Sequence, residues 1–302
     1  MGSVRRLGRL AAQLLRAPDA VATGAAEAAA AEEPADDAPV LSPQQRQHFA
    51  KQGYVVVRGA VAPPLCDAVA REMFEFVGAH PDEPGSWYSE RPPGSTRFPV
   101  AANENTMLNM YHTQAMWDVR TSRRIWRAMA ELWGTPKLWA SVDTCDLKPP
   151  MTPAHPEWGR PLHLHTDLPA DVIAAWQSGE RQETLTQRLQ GVVYLADTDE
   201  DGGGFRCIPG FLPPVIDEWF AAQQQAKAAA ATAEPAAAAA AFDFETVGET
   251  TPYRAKTIAA KKGDMVIWNS YLPHGSGVNS SQRPRLCQCE PSIPILDDTA
   301  ML

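Results

Sequence analysis

The chain has 302 residues, 44% of them hydrophobic, enough to bury a sizeable core in one large domain or two small ones. A net charge of −9 argues against nucleic acid or an anionic lipid surface as a partner, and no apolar run reaches the roughly 18 residues that span a bilayer. The five cysteines (Cys66, Cys145, Cys207, Cys287 and Cys289) are odd in number and form no C-x-x-C pair. They read as reduced thiols of an intracellular protein rather than a disulfide framework or a zinc site.

Residues 1–41 form a separate segment. Arg5, Arg6, Arg9 and Arg16 precede the first acid, Asp19, with leucines between them. That pattern fits an organellar transit peptide, which would make the protein mitochondrial; the alternative is a disordered Ala-rich tail on a cytoplasmic protein. The folded domain runs from residue 42 to 302. Ser42-Pro43 starts a helix that stops at Gly53, and Tyr54–Val57 reads as a strand. Pro63-Pro64 opens a helix through Val77, with Leu65, Val69, Met73, Phe76 and Val77 on one stripe. Residues 78–105 are a long Pro/Gly/Ser-rich loop of the kind that covers substrates. A helix is predicted over Thr121–Trp133 and a strand over Lys137–Lys148.

The next strand holds His163, His165 and Asp167. A polar helix over Gln177–Arg188 follows, then a buried strand over Gly191–Ala196, a turn at Asp201–Gly204 and a strand over Phe205–Ile208. Residues 221–241 are an Ala/Gln-rich insert expected to be dispensable. Short strands resume at Lys256–Ile258, Asp264–Trp268 and Leu286–Gln288. Helices first, then many short strands between Gly and Pro turns, give a mainly-β barrel or sandwich with helices packed outside.

The chemistry centres on His165-Thr166-Asp167. Residues two apart on a strand share a face, so an imidazole and a carboxylate can lean toward one cation. His274 is the best third donor. Two His and one carboxylate, with the other positions open, are the ligand set of non-haem Fe(II) oxygenases. His163 and Asp167 lie about 13 Å apart at Cα on an extended strand, and metal–ligand bonds of about 2 to 2.2 Å cannot gather all three. His165 with Asp167 supplies the carboxylate; His163 with His165 is the alternative. In the favoured reading His163 becomes a second-layer or substrate-pocket residue. Arg283 and Arg285, late in the chain, offer a fork for an organic acid.

Several stretches together resemble the phytanoyl-CoA dioxygenase family of Fe(II)/2-oxoglutarate enzymes: Gly53–Gly59, His165-Thr166-Asp167, Leu189–Leu195 leading to Gly203-Gly204-Phe205 and Ile208-Pro209-Gly210, and Gly263–Trp268 with His274-Gly275-Ser276 and Arg285. Arg285 falls eleven residues after His274, a common spacing in that family. The resemblance implies a double-stranded β-helix (jelly-roll) core with Fe(II) held by His165, Asp167 and His274. It implies 2-oxoglutarate and O₂ as co-substrates, with Arg285 on the distal carboxylate, helped by Ser276. Arg283 could exchange roles with Arg285, and Lys148 is a further co-substrate contact. Related halogenases replace the carboxylate with a small residue, so Asp167 favours hydroxylation of a small molecule, acidic or lipid-derived, with release of succinate and CO₂. Arg206 reads either as a contact to an acidic or phosphorylated substrate or as a salt bridge at the barrel rim. The extra His163, the 221–241 insert and the uninformative 78–105 loop depart from the family pattern. Two other classes compete: a cupin-like metalloprotein without 2-oxoglutarate, which has no need of Arg285, and a non-catalytic jelly-roll binding protein, which has no need of three ligands.

Overall fold

Ser42 starts the first helix for a reason local to the chain. Its Oγ accepts from the N–H of Gln45 at 3.1 Å, and Gln45 Oε1 accepts from the N–H of Ser42 at 2.9 Å, with Pro43 at the first helical position. Helix α1 (Pro43–Gln52) ends at Gly53, whose φ of 80° few other residues tolerate. The computed structural model describes residues 38–88, 106–159, 161–167, 189–231, 243–290 and 292–294. The transit-peptide segment, most of the 78–105 loop, the 177–188 helix and the end of the Ala-rich insert lie outside those residues.

In chain order the elements are β1 (Tyr54–Val57), α2 (Pro63–Val77), β2 (Met107–Leu108), α3 (Gln114–Arg120), α4 (Arg123–Trp133), β3 (Leu138–Ala140), β4 (Cys145–Lys148), β5 (Leu162–His165) and β6 (Leu189–Tyr194). Then come β7 (Phe205–Cys207), α5 (Val215–Ala231), α6 (Val247–Thr250), β8 (Lys256–Thr257), β9 (Met265–Asn269), β10 (His274–Ser276), β11 (Arg285–Cys289) and β12 (Ser292–Pro294). Two expectations change. The strand over 137–148 is split into β3 and β4 by residues 141–144. A helix not foreseen, α3, precedes α4, capped by Thr113 Oγ1 accepting from the N–H of Met116.

All strand pairings are antiparallel. The larger sheet runs β1-β9-β6-β11-β4-β2, with β12 beside β6 and β3; the smaller runs β5-β10-β7-β8. Period-two alternation on the central strands serves both faces of the larger sheet. Met265 and Ile267 of β9 and Val193 of β6 pack outward with Met73, Met116 and Met129 of the helices. Val266 and Trp268 of β9 and Val192 and Tyr194 of β6 pack inward against Phe205 and Cys207 of the smaller sheet. Strands buried on both faces explain why these stretches read as continuous apolar runs. Tyr194 ties the sheets together: its hydroxyl accepts from the N–H of Phe205 at 2.7 Å.

A third cluster backs the smaller sheet. Leu164 of β5 packs with Phe211, Ile216, Trp219 and Phe220. Helix α5 therefore starts before the Ala-rich run, and its apolar first turns lean on the strand that carries His165. The result is the expected jelly-roll core with flanking helices. No helix among the described residues is long and apolar enough to cross a membrane.

Strand β10 lies tight against β5 at Gly275. A Cβ there would sit 2.4 Å from Leu162 O and 2.9 Å from His163 O, both main-chain atoms. Gly275→Ala is expected to cost about 2 kcal/mol or more of stability, as overpacking against backbone does; thermal denaturation of the two proteins would show it as a lowered Tm.

Candidate metal centre

The pairing of β5 with β10 puts His274 directly opposite His165. Asp167 follows two residues after the end of β5. Its Oδ2 lies 3.1 Å from His274 Nε2 and its Oδ1 3.5 Å from His165 Nε2. One donor atom from each of the three residues falls within 4.8 Å of the others, so the cluster could hold a metal ion. His274 is buried, His165 is half-buried and Asp167 is exposed.

Both imidazoles are held the same way. His165 Nδ1 lies 2.9 Å from His163 O, and His274 Nδ1 lies 2.9 Å from Leu272 O. A carbonyl can only accept, so each Nδ1 carries a proton and each Nε2 is turned to the cluster, donating to Asp167 when protonated and offering its lone pair to a metal when not. Burial acts to raise the Asp167 carboxyl. Hydrogen bonds from His165, His274 and Gln190 and the charge of His274 outweigh it and hold Asp167 well below the usual carboxylate range. The hydrogen bond to Asp167 raises His165 against its own partial burial. The three groups thus form a ready set of ionised carboxylate and two oriented imidazoles.

The cluster opens into a cavity of about 540 Å³. On the facing sheet Arg285 pairs in register with Lys148. The Lys148 ammonium donates to Gly277 O at 2.7 Å and to Ser276 Oγ at 3.4 Å. Burial and the neighbouring Arg285 lower Lys148 to about 8. Arg285 is also buried, and its Nη2 donates to Asp146 Oδ2 at 2.5 Å. Its Nε has no partner, nor does Trp268 Nε1, and both residues line the cavity. Buried donors without acceptors are what a carboxylate-bearing ligand would satisfy.

Three residues singled out in the sequence lie elsewhere. His163 does not share a face with His165. Two residues of β10, from His274 to Ser276, span three of β5, from His165 to Leu162, so a bulge breaks the alternation. Leu162 and His165 line the cavity, while His163 is exposed, and only its carbonyl serves the site. Arg283 precedes β11 and is exposed in a separate crevice with Asp197 and Asp201. Arg206 forms a two-pronged bridge with Glu245, Nη1–Oε1 at 2.9 Å and Nη2–Oε2 at 2.6 Å, outside the cavity. Arg206 is thus engaged in a salt bridge.

The structure adds Asp143, Asp146 and Gln190 to the cavity wall. A polar residue inside the apolar run Leu189–Tyr194 was the one sequence signal for Gln190. Cys287 and Cys289, two apart on β11, both line the cavity wall. Burial pushes the Cys287 thiol up to about 12, which keeps it protonated and a poor ligand.

The family model described as phytanoyl-CoA dioxygenase (PhyH) matches residues 49–287. A Dictyostelium discoideum protein named for phytanoyl-CoA dioxygenase is 23% identical over 272 residues, 80% of this chain and 72% of its own length. Among solved structures, the epimerase SnoN in complex with Fe3+, alpha ketoglutarate and nogalamycin RO aligns with a TM-score of 0.53 at 18% identity, over 83% of this chain and 82% of its own. HygX from Streptomyces hygroscopicus, with nickel and 2-oxoglutarate bound, gives 0.53 at 14%, over 85% and 89%. EctD from S. alaskensis with bound Fe gives 0.53 at 16%, over 87% and 79%. At such identities the structural likeness is one of fold. The family match spans most of the chain and takes in β5, β10 and the start of β11, and on that ground the chain belongs to the phytanoyl-CoA dioxygenase (PhyH) family.

Proposed function

We propose that the protein is an Fe(II)- and 2-oxoglutarate-dependent dioxygenase that hydroxylates a small molecule and releases succinate and CO₂. One observation carries the reading: two oriented imidazoles and a carboxylate face a buried Arg–Lys pair across one cavity. Neither a cupin-like centre without a keto acid nor a binding module needs both halves. The solved relatives that hold Fe or nickel together with the keto acid support the choice of cofactor.

His165, Asp167 and His274 hold the ion through Nε2, a carboxylate oxygen and Nε2. Bound Fe(II) would supply O₂ activation coupled to oxidative decarboxylation of 2-oxoglutarate. The residues of this chain do the rest. Lys148 and the free Nε of Arg285 receive the distal carboxylate, and Ser276 orients the ammonium of Lys148. Asp146 holds the guanidinium by accepting from its Nη2. Trp268 and Phe205 wall the site with apolar surface that excludes water.

The purified protein with Fe(II), O₂ and 2-oxoglutarate is expected to release succinate when challenged with a metabolite panel. Asp167→Ala and His274→Ala should lose bound metal and succinate together, while His163→Ala keeps its metal stoichiometry by elemental analysis. A wild-type protein that releases no succinate with any panel member would sink the reading.

Removing one partner of a buried charge pair costs roughly 2 to 5 kcal/mol, so Arg285→Ala should raise the KM for 2-oxoglutarate by about 30-fold or more. Arg283→Ala should leave it unchanged, and the steady-state kinetics of both variants settle which arginine is the anchor.

The lowered Lys148 gives a pH dependence of known sign. A dicarboxylate prefers the ammonium form, so affinity is level below about 8 and falls as the pH rises above it. Calorimetric titration of 2-oxoglutarate into the Ni(II)-loaded protein should weaken about tenfold between pH 7 and pH 9. The same titration of Lys148→Met should be flat across that range.

A further inference from the structure

One end of the cavity is left without a task by the two carboxylate anchors. Along β11, Arg285, Cys287 and Cys289 face the cavity, and strand rise puts the first and last about 14 Å apart. Lys148 stands beside Arg285 at one end. At the other end the N–H of Cys289 donates to Thr144 O, and the N–H of Glu290 donates to Gly191 O. Asp143, just before β4, and Gln190, on β6, therefore flank Cys289 from either side of β11. The cavity floor runs from a cationic end to an end of acceptors.

The charges say what those acceptors are for. Among the described lining residues, the carboxylates Asp143, Asp146 and Asp167 outnumber the cations Lys148 and Arg285 by one. A divalent ion and a doubly charged keto acid cancel each other, so the excess negative charge persists in the loaded site. It does not sit on Asp146, which is paired with Arg285, or on Asp167, which faces the two imidazoles. It sits on Asp143, whose carboxylate accepts one hydrogen bond, at 2.8 Å from the N–H of Thr144. Burial raises the Asp143 carboxyl against the charge of Arg120, which makes no ion pair with it: Arg120 Nη2 donates to the main-chain O of Asp143 at 2.9 Å, and its Nε lies 3.7 Å from Glu290. Gln190 turns its amide N–H toward Asp167 and leaves Oε1 buried with no partner. Two acceptors at that end keep capacity for a ligand: Gln190 Oε1, which has no partner, and the Asp143 carboxylate, which accepts from Thr144 alone.

We propose that the substrate is an organic amine, its protonated nitrogen received by Asp143 and Gln190 Oε1, its apolar body lying against Met107, Leu162 and Val192. The inference rests on the co-substrate assignment above, since the dicarboxylate must occupy the Lys148–Arg285 end. It runs against an acidic substrate. A second carboxylate would meet the excess negative charge, and Arg206, the residue that would have welcomed an acid, is bound to Glu245. The position of Asp143 follows from the break between β3 and β4. Thr144 turns its hydroxyl to Leu108 O on the other side, so Asp143 enters the cavity.

The test is a titration of the Ni(II)-loaded protein, first with 2-oxoglutarate, then with hexylamine, hexan-1-ol and hexanoate, each followed by calorimetry. Wild-type protein is expected to bind hexylamine at least about tenfold more tightly than hexanoate, the scale of one charge-assisted hydrogen bond. Asp143→Asn should abolish that preference, and Asp143→Glu, which keeps the charge, should retain it; melting curves of both variants confirm that they fold. Hexanoate binding as tightly as hexylamine, no measurable binding of hexylamine, or a preference that survives in Asp143→Asn would each overturn the proposal. The opening titration keeps the two readings apart. Failure to bind 2-oxoglutarate strikes the co-substrate assignment, whereas its binding without an amine preference strikes the amine alone.

Discussion

The centre of this molecule depends on one main-chain register: His274 lies across from His165 between antiparallel strands β10 and β5. From that pairing the donor geometry follows. The rings come within 4.7 Å, centroid to centroid, and Asp167 reaches both from just beyond the strand end. The carbonyls two residues upstream, His163 O and Leu272 O, fix each ring's proton on Nδ1. The same local device appears twice, once on each strand, and neither instance needs a side chain from elsewhere. The register has its own condition, since Gly275 must have no side chain for β10 to approach β5 so closely.

Across the cavity the energetics have the opposite character. Two buried cations, Arg285 and Lys148, are neighbours in register, and burial penalises both. The penalty is shared out by chemistry. Arg285 keeps its charge against Asp146, and Lys148 takes the loss as a pKa lowered by burial and by Arg285. Asp146 acts on both cations, raising each against its burial. A folded protein tolerates such an arrangement where a ligand completes it.

Much of this was legible in the sequence, and the failures have physical causes. His165, Asp167 and His274 were readable because i, i+2 spacing and ligand type make the same demand. Choosing among His163, His165 and Asp167 by alternation alone misplaced His163, because a bulge adds one residue and turns its side chain away. Arg283 was assigned the parity of Arg285 on the assumption of a continuous strand. The strand begins only at Arg285, and Asn279 folds the preceding turn by donating to Arg283 O at 2.8 Å and Lys148 O at 2.9 Å. Asp143 was hidden for a similar reason, inside a stretch read as one strand that is really two. The period of the apolar pattern carries through regular strands and is lost where a single residue is inserted or a strand is interrupted, and in this molecule those are the places that shape the cavity.

The distribution of unsatisfied polar atoms ties these points together. Arg285 Nε, Trp268 Nε1, Asp146 Oδ1 and Gln190 Oε1 are buried without partners, and all four residues line the one cavity. Each such atom costs on the order of 1 to 3 kcal/mol when left unmade. A core under selection for stability alone would replace them with carbon, as the helix-facing side of the same sheet does with Met265, Ile267 and Val193. Asp146 is the ion-pair partner of Arg285, and Trp268 stands in register with Gln190, so each pair holds one donor and one acceptor left open for a ligand. Because anything that binds the folded state alone stabilises it by mass action, filling the cavity and completing the fold are the same process here. The sequence keeps an incomplete hydrogen-bond network in a place where only ligands of complementary polarity can finish it.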